Sequence, residues 1–74
     1  MKELEKLRVL IPHWIEHNEE HANAFRRWAQ KSGDISGSII AAADSITQAN
    51  EYLNSALKEL GGPLEYQPEH QDHL

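Results

Sequence analysis

Lys31-Ser32-Gly33-Asp34 is the stretch whose reading decides the fold. Glycine takes the left-handed conformation that ends a helix at little steric cost. An aspartate directly after it is a favoured N-cap for a following helix, because its carboxylate accepts that helix's unpaired N–H groups. The connection, Ser32 to Asp34, is too short to let the two helices part, so they must lie antiparallel as neighbours. Towards the N-terminus, apolar residues fall at Leu4, Leu7, Ile11, Trp14, Phe25 and Trp28, in steps of three and four once Asn18 and His21 fill the two places between Trp14 and Phe25. That is the spacing of a helix face buried against another helix, here with a polar interruption at its centre. Towards the C-terminus, Ile39, Ile46, Leu53 and Leu60 recur every seven residues, with Ala42, Ala49 and Ala56 between them. Gly61-Gly62-Pro63 then stops the second helix.

The pattern predicts an all-α fold, an antiparallel helical hairpin over residues 1–62, with helices over about 2–31 and 35–60 and a flexible polar tail over 63–74. Folding the chain at Gly33 sets Trp28 near Ile39, Phe25 near Ala42 and Trp14 near Leu53. Pro12 lacks an N–H and its ring crowds the carbonyl four residues back. It predicts a kink near Arg8 to Pro12 in a continuous first helix; the alternative is a short helix ending at Leu10 and a new one with Pro12 at its first position.

Seventy-four residues make one small domain. A chain of that size buries only about 60% of the surface it exposes when unfolded, so disulfides, a metal or a partner usually add to its stability. There is no cysteine, which excludes disulfides, thiolate metal sites and thiol catalysis. Seven Lys and Arg against twelve Asp and Glu leave a net charge of −5, a poor match for nucleic acid or an anionic membrane. No apolar run approaches the ~18 residues of a membrane span, and the charged start (Lys2, Glu3, Glu5, Lys6) is no signal peptide, so a cytoplasmic location is expected. One hairpin cannot cover both sides of a seam rich in rings and branched aliphatics. Two hairpins related by a two-fold axis, a homodimeric four-helix bundle, can. A hairpin docked on another protein is the alternative.

The chemistry-bearing stretch is Pro12-His13-Trp14-Ile15-Glu16-His17-Asn18-Glu19-Glu20-His21. Its three histidines lie four residues apart and form one slanting row on a helix. Neighbours such as His17 and His21 can share one ion. His13 and His21, ~12 Å apart along the axis, cannot. The expected ligands of a divalent transition metal are therefore His17 and His21, assisted by His13 and Glu20 and secondarily by Glu16. The remaining positions would come from a two-fold mate or from His70 and His73 in the tail. A sulfur-free nitrogen and oxygen set suits Ni, Zn or Co. Against this stands a packing role, with His21 in the seam bonded to Asn50, Thr47 or a mate's Asn18. Protonation of all five histidines would bring the formal charge from −5 to 0, which allows a pH response as well.

The run Pro12 to Asn18, followed by His21, Phe25 and Trp28, resembles a small uncharacterised family of prokaryotic helical domains, often found beside histidine-rich, metal-associated segments. The resemblance spans roughly residues 4–62. It implies a metal-handling context, nickel or cobalt among the candidates, and assigns no activity or ligands.

His-x-x-Glu-His occurs twice, at His13 to His17 and His17 to His21, and matches a protease metal motif. A hairpin of this size has neither the third ligand nor the cleft such an enzyme needs. The di-iron bundles use Glu-x-x-His, the reverse order, and here the second helix carries no histidine. With no nucleophile and no phosphate-binding loop, the protein is expected not to be an enzyme. Two functions remain: a metal-binding protein for storage, delivery or sensing, or a homodimeric interaction module in which the histidines tune packing or pH response.

Overall fold

Two helices and one tight turn make up residues 2–64, which the computed structural model describes. Helix α1 covers Glu3–Ala29 and α2 covers Ser36–Leu60, joined through a 3₁₀ turn at Gly33–Ile35. The fold is all-helical and antiparallel. At 50 × 28 × 13 Å it is a single helix layer thick, so both broad faces of the pair are open.

Gly33 adopts φ +58°, the left-handed conformation the sequence asks of it. Trp28 O accepts bonds from the Lys31 N–H at 2.9 Å and the Ser32 hydroxyl at 2.6 Å. Asp34 is not the N-cap of α2, contrary to expectation. Ile35 holds that position with no side-chain cap, and Ser32 heads the 3₁₀ turn. The turn makes a cap unnecessary, because Ser32 O and Gly33 O accept the N–H groups of Ile35 and Ser36.

At the other end, Gly61 and Gly62 stop α2 with φ values of +105° and +93°. Their N–H groups bond to Lys58 O at 3.0 Å and Leu57 O at 2.9 Å, the paired Schellman pattern. Helix α1 runs unbroken through Pro12. The missing proline N–H deprives Arg8 O of its intrahelical donor. The N–H of Leu64 takes that place at 3.1 Å. The same residue's guanidinium donates to Gly62 O at 2.7 Å and Gly61 O at 3.1 Å. Arg8 thus gathers the end of α2 with its backbone and its side chain together. Residues 63 and 64, read from sequence as the start of the tail, are held in this way; residues 65–74 lie outside those described.

The seam differs from the expected one by a single residue on each helix. On α1, Ile11, Asn18 and Phe25 face inward or sit half-buried, as the spacing predicts. The second column is Ile15, Ala22 and Ala29 rather than Trp14, His21 and Trp28. On α2, Ile39, Ile46, Leu53 and Leu60 keep their place, but Ala43, Asn50 and Leu57 are buried instead of Ala42, Ala49 and Ala56. The cause is size. Ala22, Ala29 and Ala43 are 2%, 2% and 0% exposed and let the backbones close up, which an indole between two helices would prevent.

Asn50 sits in this seam, 7% exposed. Its Nδ2 donates to Ile15 O at 3.2 Å, and its Oδ1 accepts from Asn18 Nδ2 at 2.9 Å. The expected partnership of His21 with Asn50 or Thr47 is therefore replaced. Asn18 holds Asn50, Arg26 donates to Thr47 at 2.9 Å, and His21 is exposed.

Asn50→Ala leaves Asn18 without its partner and is expected to cost about 1–3 kcal/mol in urea unfolding. Replacing both by leucine should be neutral or stabilising, since no polar atom is then stranded. In the same assay Gly61→Ala should cost more than about 1 kcal/mol, because φ +105° strains any side chain and Arg8 stands 3.4 Å from the new Cβ.

Candidate functional site

Residues just after the seam positions share one side of the hairpin, and hydrogen bonds prove it. Arg26, next after Phe25, donates to Asp44 at 3.2 Å and to Thr47 at 2.9 Å, which follow Ala43 and Ile46. This side is a polar groove lined by Glu19, Asn23, Arg26, Thr47, Glu51 and Asn54, with Ala22 and Asn50 in the lining too. The sequence reading missed it. The signal was there in polar residues at 19, 23 and 26, spaced four and three apart along one stripe.

Residues just before the seam positions share the opposite side, by the same rotation of about 100° per residue on antiparallel helices. There α1 presents Trp14, His21 and Trp28, and α2 presents Ala42, Ala49 and Ala56. Half-buried Phe25, Ile39, Ile46 and Leu53 line the valley between them. Trp14 is 43% and Trp28 65% exposed, and Leu10 and Tyr52 stand exposed at the two edges. Lys31 Nζ lies 5.3 Å over the Trp28 ring, and His21 meets Phe25 at 6.5 Å between centroids, tilted 48°. No large side chain among the described residues is fully buried. Ile11 and Leu57 are buried, but Phe25, Ile39, Ile46 and Leu53 are only half-buried.

The histidine row has a different setting from the one expected. His13 is exposed near the back of α1, away from α2. His17 stands at the edge of the aromatic face with its Nδ1 3.8 Å from Glu20 Oε1, both side chains 69% exposed. His21 lies one turn on, within the face. Glu16 is exposed. Among the described residues no three His, Asp or Glu side chains come together so as to hold an ion. His17 and His21 are thus neighbours on one face, and neither His13 nor Glu16 joins them in a set. His70 and His73 lie outside the described residues. No helix among those described is long and apolar enough to cross a membrane.

Comparison with known proteins follows the same outline. An uncharacterised protein of Archaeoglobus fulgidus is 32% identical over 62 residues, covering 78% of this chain and all of the relative. No solved structure matches the chain. Residues 7–60, from the first seam turns of α1 to the last residue of α2, match the family described as Domain of unknown function (DUF8180), and the chain belongs to that family.

Proposed function

We propose that this protein is a non-catalytic interaction module that works as a homodimer, two hairpins burying their aromatic faces against each other as a four-helix bundle. The observation that carries this reading is the face itself, Trp14, Phe25 and Trp28 beside Ile39, Ile46 and Leu53, on a pair of helices one layer thick. Contiguous apolar surface of this kind marks an interaction site. A monomer would leave two indoles exposed and lack a closed core, a poor basis for stability at this length. His21 and His17 then tune packing within and beside the contact.

A divalent-metal role for His17 and His21 is the second reading. It is favoured by their position one turn apart on the face that docks, where a second chain can bring further donors.

Sedimentation equilibrium of the wild type is expected to give twice the 8.4 kDa chain mass. Trp14→Glu with Trp28→Glu should raise the dimer dissociation constant at least tenfold, about 1.4 kcal/mol, with far-UV helicity kept. A monomeric wild type, or a dimer indifferent to both charges, would refute the module. Calorimetric titration with nickel and zinc separates the two readings. The module expects binding no tighter than about 100 μM, or about −5.5 kcal/mol; tight binding lost in His17→Ala would transfer the role to the metal.

A further inference from the structure

Resting on that reading, we infer that the second copy docks with its two-fold axis parallel to the helices, so that Trp14, His21 and Trp28 of one chain seat on the partner's Ala56, Ala49 and Ala42. The argument begins with levels along the hairpin. Arg8 meets Gly62, Asn18 meets Asn50 and Arg26 meets Asp44, so residues whose numbers add to about 70 stand roughly level on the two helices. By that rule Trp14 is level with Ala56, His21 with Ala49 and Trp28 with Ala42. On the open face, then, three rings run down one edge and three alanines down the other, each ring abreast of an alanine.

With the helices of the two copies aligned, as in a four-helix bundle, two axes bring this face onto its own copy in a closed dimer. An axis along the helices lays α1 over the partner's α2 at unchanged level, and every ring meets an alanine. Large against small across facing positions is what lets two layers interdigitate at interior density. An axis across the helices lays α1 on α1 and α2 on α2. Rings then crowd together on one side of the interface, while alanines oppose alanines and leave a void along the other side. Loss of packing in such a void is costly, and so is the overlap opposite it.

The edges agree. With the axis along the helices, His17 comes level with the partner's Tyr52 and Lys31 with the partner's Ser38, so no like charges are set opposite each other there. Exposed Tyr52 thereby gains a neighbour. The area suffices as well. Two helices of ~38 Å at ~10 Å each give a face of roughly 750 Å², close to the ~800 Å² per partner of a standard stable interface. The alternative axis would bring the two His17/His21 pairs together, so the orientation also bears on the metal reading.

The chain has no cysteine, so a spin label at Asp34→Cys, exposed in the turn, reports the orientation directly. Pulsed electron resonance on the full-length dimer is expected to give a separation below about 30 Å, both turns lying at one end. A separation of ~40 Å or more, one helix length, would overturn the inference and leave the dimer standing. A ring exchange supplies the second check by sedimentation. Ala42→Trp alone should weaken the dimer at least tenfold, and Trp28→Ala added to it should recover most of that loss. Failure of the pair to recover, in a chain that keeps its helicity, would likewise refute the arrangement. A monomeric wild type refutes the module itself and is seen in the same sedimentation run.

Discussion

The bond between Asn18 and Asn50 is the constraint that organises this hairpin. Two helices joined by a short turn can slide or roll against each other with little change in apolar contact, because a leucine is content with many neighbours. A buried amide is not. Asn50 lies 7% exposed and must find donors and acceptors where it sits. It finds Ile15 O on one side and Asn18 on the other, and a slide or roll of either helix would break both bonds. The roll that keeps them puts Ala22, Ala29 and Ala43 in the seam and turns Trp14 and Trp28 out of it. The aromatic face therefore follows from close packing of alanines and a polar contact in the middle of the molecule that agree on one roll.

Much of the fold was legible from residue spacing. Gly33 and Gly61 mark the ends of the helices where their left-handed conformations are found, and one heptad column on each helix faces inward as its period requires. The second column was misassigned on both helices by the same single residue. The reason lies in the assumption that the largest apolar side chains occupy the seam. With only two helices present, large rings prop the backbones apart and alanines draw them together, so the small residues win the inner place. Spacing alone cannot separate columns 14/21/28 and 15/22/29, since each is apolar or small at most positions. The unpaired carbonyl that Pro12 creates was implicit in the sequence; its donor, Leu64, was not, because nothing local links residues 56 apart.

The histidine row was legible as a row, and its setting was not. A four-residue period places His13, His17 and His21 along a helix whatever the neighbours, but the roll of that helix decides which of them stands near α2. With the roll set by the seam alanines and Asn50, His21 joins the aromatic face, His17 borders it, and His13 looks away. The groove on the other side, with Arg26 bridging to Asp44 and Thr47, came from the same rotation. Arg26 there is satisfied across the helices, whereas the two indoles stand on the aromatic side.

The Arg8 cluster has a consequence for how the molecule opens. Helix ends ordinarily fray independently, each losing its last turn without disturbing the rest. Here the carbonyl and guanidinium of one residue near the beginning of α1 hold Gly61, Gly62 and Leu64 just past the end of α2. Melting either terminus breaks bonds belonging to the other. The chain behaves at that end as though stapled, and the two extremities farthest from the covalent turn must come undone as one cooperative unit.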